Sequence, residues 1–206
     1  MLIDITPRIT EQLAVWPGAP PWRRQPLMDM ARGDPFTVAA FSSTAHIGAH
    51  VDAPCHYDPA GRPIDAQPLE LYVGPCQVLR PAARPGMVLR PGDLPEPITA
   101  ERVLIATGTF PDWTEFRTDF AALSPELLDW LHERGVRLVG IDTPSVDPFA
   151  AADLPVHRRC AVHDIAILEG LVLHGVPEGR YELIALPLKL GDFDGSPVRA
   201  VLRELR

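Results

Sequence analysis

An eleven-residue segment, HIGAHVDAPCH, holds three of the seven histidines of the chain together with an aspartate. These residues are His46, His50, Asp52 and His56. Imidazole nitrogen and carboxylate oxygen are ligands that divalent metals such as Zn²⁺ and Mn²⁺ accept. Structural zinc sites usually contain several cysteines, and this segment contains only Cys55. The composition of the segment therefore favours a catalytic metal site over a closed structural site or a chance cluster on a loop.

The spacing of these residues favours an extended strand. Side chains at even positions of a strand project to one side, and His46, His50 and Asp52 share that parity. In that conformation Gly48 leaves the space between the two histidines empty. On a helix, Asp52 would lie roughly 160° away from His50. We therefore expect a strand that presents two histidines and an aspartate to one pocket, with His56 just beyond it.

Length and composition predict one domain. A chain of 206 residues with 46% hydrophobic residues can form a single packed core. The net charge of −8 means that the chain has no excess of positive charge to attract nucleic acid or an anionic membrane surface. The sequence shows neither a signal peptide nor an apolar run long enough for a membrane span. Three cysteines without a C-x-x-C pair favour reduced thiols and a cytoplasmic location.

Apolar runs bounded by glycine or proline predict a single α/β domain with a strand-rich mixed sheet and few helices. Helix signals occur in residues 124–135 and 155–163. Residues 16–35 are rich in proline and arginine and are predicted to form a long functional loop. Strands are predicted at residues 2–6, 37–52, 75–80, 102–107, 137–141, 165–168, 181–186 and 198–205.

Several residues outside the segment are candidates for the same site. Glu169 ends a buried apolar run and could be a ligand, an acid/base or a solvated strand end. His157 and His163 flank the second helix, and their spacing does not indicate which one faces the pocket. Trp16 could stack on a flat substrate or anchor its loop on the core. Residue type and spacing alone leave each of these alternatives open.

The segment resembles the H-x-G-T-H-x-D-x-P-x-H motif of the cyclase family of metal-dependent hydrolases. Six of the seven fixed positions match, and Ala49 stands where the family has threonine. Because position 49 would point away from the metal side of a strand, we expect a lost hydrogen bond and no lost ligand. The resemblance covers essentially the full length, and it continues in residues 16–18, 140–145, 168–171, 181–190 and 194–200.

The resemblance implies a role for each candidate residue. His46 and His50 would bind the first metal, and Asp52 and Glu169 would bridge both metals. His157 would bind the second metal, since its distance along the chain from Glu169 matches the family. His56 would be the proton donor and acceptor, and Trp16 would contact the substrate.

The resemblance also implies a fold and a reaction. The fold is a swivelling β/β/α domain, usually a homodimer, with two Zn²⁺ ions per subunit or with Mn²⁺ or another divalent metal. The reaction is hydrolysis of N-formyl-L-kynurenine to L-kynurenine and formate in tryptophan degradation. Two alternatives remain, namely a related enzyme that hydrolyses isatin or another cyclic or aryl amide, and a non-catalytic metal-binding protein.

Overall fold

The computed structural model describes residues 1–205, and these contain thirteen strands and two α-helices. The helices are α1 (Pro125–Glu133) and α2 (Pro155–His163). The strands are β1 (Leu2–Asp4), β2 (Arg23–Met28), β3 (Val38–Ser42), β4 (His50–Asp52), β5 (Val73–Leu79), β6 (Val88–Leu89), β7 (Arg102–Ile105), β8 (Ala122–Leu123), β9 (Leu138–Ile141), β10 (Ala166–Glu169), β11 (Gly179–Ile184), β12 (Gly195–Pro197) and β13 (Val201–Glu204).

Nine of these strands form one mixed sheet in the order β1-β13-β11-β5-β7-β9-β10-β4-β12. The central strands β5, β7, β9 and β10 run parallel to one another, and the flanking strands pair antiparallel. Strands β6 and β8 form a short parallel pair, and β2 and β3 form a separate antiparallel pair. This single strand-rich α/β domain with two helices confirms the predicted fold class.

The core lies on both faces of the sheet because the side chains of each buried strand alternate between two clusters. Leu104 and Leu138 belong to one cluster. Their neighbours Val103, Ile105 and Val139 belong to the other, which also contains the buried apolar residues of α1 and α2. The central strands are therefore mostly apolar, and the charged residues Arg102 and Glu169 lie at the strand ends.

Helix α1 follows its sequence signals closely. The hydroxyl of Ser124 accepts a hydrogen bond from the amide of Leu127 at 3.2 Å, and Pro125 occupies the first helical position. Helix α2 has the predicted bounds. The predicted strands at residues 75–80, 102–107 and 137–141 are also confirmed, with bounds that differ by one or two residues.

The prediction of a continuous strand through residues 46–52 is wrong in part. The strand begins only at His50, and Gly48 has a φ of +59°, which is a left-handed conformation. The space beside Gly48 is not empty, because it is filled by the apolar side chains of Pro7, Ile9 and Leu13. A bend at Gly48, followed by a short strand, therefore sets the positions of the two histidines.

The prediction that residues 16–35 form only a loop is also wrong in part. Strand β2 lies in this range and pairs with β3, with an irregular register between Pro26 and Met28. Polar residues and a proline hide the strand in the sequence, and it is formed by pairing with a partner about ten residues further along the chain. We call residues 23–42 the ribbon.

Gly170 makes the closest backbone approach near the predicted site. It has a φ of +73°, and a Cβ at this position would overlap the carbonyl of Gly48. That carbonyl accepts a hydrogen bond from His50 Nδ1 at 3.0 Å. A side chain at position 170 would therefore displace the group that orients His50.

In residues 1–205 no helix is long and apolar enough to cross a membrane.

We predict that Gly170→Ala destabilises the protein more than Gly175→Ala. Gly175 has a similar φ of +78°, but no atom lies within 4 Å of the point that a Cβ would occupy. Its substitution therefore costs only about 1–2 kcal/mol, which is the cost of placing alanine in a left-handed backbone conformation. Gly170→Ala adds steric overlap worth about 1–3 kcal/mol. Denaturant unfolding of both variants measures the difference. Equal destabilisation would show that the Gly48 carbonyl moves aside freely.

Candidate metal centre

Three neighbouring strands bring the first donor groups together. In the register of β4 and β10, Glu169 lies directly opposite His50. Two residues further along β4, Asp52 pairs with Ile167 on β10 and with Gly195 on β12. The side chains of His50, Asp52 and Glu169 are all buried. Strand β4 and the end of β10 therefore supply two carboxylates and an imidazole to one interior position.

The carboxylate of Asp52 faces histidines on two sides. Its Oδ1 lies 2.9 Å from Nδ1 of His46 and 3.5 Å from Nε2 of His50. Its Oδ2 lies 3.2 Å from Nε2 of His157. Each oxygen of Asp52 therefore belongs to a different group of nitrogen donors.

Glu169 divides its oxygens in the same way. Oε2 lies 3.3 Å from Nε2 of His50, and Oε1 lies 3.5 Å from Nε2 of His157. The amide of Val146 donates a hydrogen bond to Oε1 at 2.7 Å and fixes the carboxylate. Two adjacent donor sets result, and Asp52 and Glu169 lie between them.

Each of the three histidines has its second ring nitrogen close to an acceptor. Nδ1 of His50 bonds to the carbonyl of Gly48, and Nδ1 of His157 lies 2.7 Å from Asp147 Oδ2. Nε2 of His46 lies 3.2 Å from Asp194 Oδ2. In metal sites such outer hydrogen bonds fix the tautomer and the direction of the ligating nitrogen. The arrangement of all three rings is that of oriented ligands.

Asp147 also positions the start of α2. Leu154, the residue before the helix, makes no side-chain cap. Instead the two carboxylate oxygens of Asp147 accept hydrogen bonds from the amides of Val156 and His157, at 2.9 and 3.1 Å. A helix start leaves these amides without internal partners. One carboxylate therefore fixes both the backbone and the ring of His157.

The buried carboxylates hold positive charge at this position. Burial lowers the pKa of His46, but the hydrogen bond and charge of Asp52, with the charge of Asp194, raise the value to about 9. Burial also lowers the pKa of His157, and its bonds with Asp147 and Asp52 raise it to about 10. Burial raises the pKa of Asp52, but its bonds with His157 and His46 bring it well below its usual range.

The donor set fits divalent metals. Three imidazoles and two carboxylates form two overlapping groups, His46–His50–Asp52 and Asp52–His157–Glu169, and the donor atoms of each group lie within 4.8 Å of one another. Nitrogen and oxygen donors of this kind suit Zn²⁺ and Mn²⁺. Cations placed here replace the protons that the carboxylates otherwise hold on the histidines. His46, His50, Asp52, His157 and Glu169 could therefore hold two metal ions.

His56 lies outside these two groups, but with His46 and Asp194 it forms a third, more exposed group whose donor atoms also lie within 4.8 Å of one another. Its ring centre is 4.1 Å from that of His46 and 5.9 Å from that of His157, and Nδ1 is 3.7 Å from Asp194 Oδ2. Burial lowers the pKa of His56; the charge of Asp52 opposes this, and repulsion from His46 and His157 adds to it. The ring is partly exposed and lines the cavity, so it can reach a bound molecule.

A cavity of about 520 Å³ opens above the donor groups. Trp16 forms part of its wall and contacts Phe149 and Phe116, with ring centres 5.0 and 5.5 Å away. Trp16 is therefore both anchored by aromatic packing and exposed to the cavity. His56 and Glu169 line the same cavity. That Trp16 contacts a substrate remains a prediction.

The structure decides between the two histidines of α2. His157 is buried and faces the donor groups, whereas His163 faces away and bonds Asp129 at 2.6 Å. Two further aspartates near the donor groups, Asp147 and Asp194, were not predicted from the sequence. Asp147 follows residues 140–145, and Asp194 begins residues 194–200, but the spacing of these aspartates from the histidines carries no signal.

The model of the Cyclase family matches residues 3–148, which is most of the chain. The chain belongs to the Cyclase family. Ala49, which departs from the family motif, is fully buried in the core. The residue that replaces the threonine of the motif therefore packs among apolar side chains and is not one of the metal donors.

Solved structures show the same fold along the whole chain. A potential metal-dependent hydrolase with cyclase activity is 27% identical, with a TM-score of 0.80, and the match covers 100% of this chain and 99% of the other. A predicted metal-dependent hydrolase from Bacillus stearothermophilus is 27% identical, with a TM-score of 0.77 and coverages of 98% and 97%. Isatin hydrolase A from Labrenzia aggregata is 25% identical, with a TM-score of 0.77 and coverages of 98% and 93%.

We predict that Asp147→Asn weakens metal binding in this cyclase-family protein by about 10–100-fold. An amide has only one acceptor oxygen, so the variant side chain cannot accept both from the Val156 N–H and from the ring of His157, as Oδ1 and Oδ2 of Asp147 do, and either orientation disturbs the helix start or the ring. Asp129→Asn is the matched control, because Asp129 bonds the other histidine of α2, His163, away from the donor groups. Metal titration of both variants tests this. Equal affinities would remove Asp147 from the support of the metal centre.

Proposed function

We propose that this cyclase-family protein is a metal-dependent amide hydrolase, specifically an arylformamidase that converts N-formyl-L-kynurenine to L-kynurenine and formate. The observation that carries the proposal is the position of His56 between an aromatic cavity and two metal-donor groups that share Asp52. The resemblance of the segments beyond the motif to kynurenine formamidases supports the choice of substrate. Zn²⁺ is the proposed metal, with two ions per subunit.

Amide hydrolysis needs a polarised carbonyl, a nucleophilic water and a protonated leaving nitrogen. Divalent metals bound to the donor groups supply the polarisation and lower the pKa of water. The buried residues Asp52 and Glu169 would hold these metals and offset part of their charge. Since the donor residues His46, His50, His157 and Glu169 line the cavity, the formyl end of the substrate would lie against them.

His56 is the proposed acid/base. The leaving group of an aryl formamide is an aryl amine, whose expulsion as an anion is unfavourable. With its lowered pKa the ring of His56 is neutral near pH 7, so it can accept the proton of the attacking water and return it to the leaving nitrogen. Asp194, 3.7 Å from Nδ1, lies on the side from which it can orient the ring.

The cavity wall suits an aromatic substrate. Aromatic side chains line it, and none of its lining residues among residues 1–205 is a lysine or an arginine. Trp16, Trp113, Phe116 and Phe149 provide flat apolar surfaces on which an aryl ring can pack. The charged amino-acid end of N-formyl-L-kynurenine would therefore lie towards the open mouth.

One alternative substrate has support of its own. The structural neighbour from Labrenzia aggregata is an isatin hydrolase, and isatin also carries an amide on an aromatic ring. A non-catalytic metal-binding role is the alternative of another class, and the presence of His56 beside the donor groups argues against it. We further propose a cytoplasmic homodimer; the free thiols of Cys55, Cys76 and Cys160 fit a reducing compartment.

We predict zinc-dependent hydrolysis of N-formyl-L-kynurenine that exceeds hydrolysis of isatin. The assay compares both substrates with metal-stripped protein and with protein restored with Zn²⁺ or Mn²⁺, while loss of the formyl group or ring opening is followed by absorbance. Greater activity on isatin would select the alternative substrate. If neither compound is hydrolysed with either metal, the enzymatic proposal fails.

We predict that His56→Ala keeps its metal and loses turnover by about 10²–10⁴-fold, the usual effect of a lost acid/base. Asp52→Ala is expected to lose metal as well as turnover, because both donor groups depend on this carboxylate. The exposed His174→Ala is the control and should behave as wild type. Metal content and kcat are measured for all three. Near-wild-type turnover of His56→Ala would remove this residue from the reaction.

A further inference from the structure

Residues 143–147 follow β9, and hydrogen bonds fix the backbone of this segment along its length. The carbonyl of Thr143 accepts from the amide of Gly170 at 3.0 Å. The hydroxyl of Thr143 donates to the carbonyl of Ser145 at 2.9 Å. The carbonyl of Val146 accepts from the last amide of β8 at 2.8 Å. The segment is therefore held against β8 and against the end of β10.

Ser145 is a buried residue of this segment in the wall of the cavity. It is only 5% exposed, and it lines the cavity together with His50, His157 and Glu169. The amide of Val146, the next residue, donates to Oε1 of Glu169 at 2.7 Å. Ser145 therefore lies beside a carboxylate that is placed between the two metal-donor groups.

The hydroxyl of Ser145 makes one hydrogen bond and has the capacity for a second. Its oxygen accepts from the amide of Asp147 at 3.1 Å. A serine hydroxyl can also donate one hydrogen bond, and no acceptor among residues 1–205 takes the proton of this one. The bond from the amide fixes the oxygen and leaves the O–H group free to turn towards the cavity. A molecule bound in the cavity can therefore accept this proton.

The other hydroxyl of the cavity wall is already used. Thr44 lines the cavity, and its hydroxyl donates to the carbonyl of His46 at 3.4 Å. Apart from the indole groups of two tryptophans, the remaining polar side chains of the wall are histidines and Glu169. The proposed mechanism gives each of these a role as metal ligand or acid/base. Within residues 1–205, Ser145 is thus the wall residue whose O–H group is still available to a substrate.

Hydrolysis of an amide places negative charge on the carbonyl oxygen when water adds to the carbonyl carbon. A donor that points at this oxygen stabilises the charged intermediate more than it stabilises the neutral carbonyl. Such a donor is most effective where water is excluded and where hydrogen bonds fix the donor beforehand. Ser145 meets both conditions, because it is buried and because the amide of Asp147 holds its oxygen.

We propose that Ser145 is a further catalytic residue, whose hydroxyl donates a hydrogen bond to the carbonyl oxygen of the substrate and to the oxyanion that forms from it. The inference rests on the proposed amide hydrolysis, but it holds for any aryl amide that the cavity takes. Water adds to the carbonyl carbon, the C–N bond breaks, and the proton that His56 takes from the water goes to the leaving nitrogen. Ser145 forms no covalent bond and keeps its own proton throughout.

The first test compares kcat and KM of metal-loaded variants, on whichever of N-formyl-L-kynurenine and isatin the wild type hydrolyses. Ser145→Ala should lose kcat by about 10²-fold, the effect of removing one oxyanion donor, with little change in KM. Ser145→Thr keeps the hydroxyl and should recover most of this loss. Thr44→Val is the matched control and should lose far less, because that hydroxyl already donates to the carbonyl of His46.

Metal content separates this role from a purely structural one. If Ser145 served only to hold Asp147, its loss would act through His157 and would lower metal affinity. We expect Ser145→Ala to keep its metal at the level of the wild type and still to lose kcat. A loss of kcat that added metal restores would overturn the proposal, and so would an unchanged kcat.

The second test does not need turnover. Methanesulfonanilide carries a tetrahedral sulfonyl group in place of the carbonyl carbon of an aryl amide, and calorimetry measures its binding to the zinc-loaded protein. Ser145→Ala should raise its Kd by about 5–10-fold, the effect of one lost hydrogen bond, and Thr44→Val should not. An unchanged Kd in Ser145→Ala overturns the proposal. A wild type that hydrolyses neither substrate overturns the proposed function, and the sulfonamide then still decides whether Ser145 donates to a bound ligand.

Discussion

Two buried carboxylates on neighbouring strands constrain this structure more than any other feature. Asp52 and Glu169 lie at the ends of β4 and β10, and each directs one oxygen to His157 and the other towards His50. Buried carboxylates are stable only when positive charge compensates them. The histidines provide it as protons, or metal cations provide it directly. The close backbone contact between Gly170 and Gly48 keeps the two strands near enough for both carboxylates to share one position.

The groups around the donors serve this constraint from three separate elements. Asp147 fixes His157 through the start of α2, the carbonyl of Gly48 fixes His50, and Asp194 fixes His46 from the segment before β12. The strands supply rigid positions because their apolar side chains are buried on both faces of the sheet. His56 is held less tightly, in a short turn at the cavity, as suits a residue that must reach the substrate and exchange a proton.

The ribbon shows a different physical balance. The main sheet buries apolar residues on both of its faces, but the ribbon exposes apolar side chains such as Leu27 and Phe41. The chain enters the ribbon after Ala19 and leaves it before Thr44, and both of these residues line the cavity.

The sequence by itself determined the donor types, both helices, the central strands and the fold class, because these depend on local spacing and on apolar runs. The residue types of positions 46–56 were enough to indicate a metal site, even though the continuous strand predicted for them was wrong. Only the tertiary structure decided that His157 and not His163 faces the donors, that Glu169 lies opposite His50, and that Asp147 and Asp194 orient the rings. It also showed that β2 is a strand paired with β3 within the predicted loop. Each of these outcomes depends on strand register or helix orientation across the fold, and such long-range contacts leave no periodic signal in a single sequence.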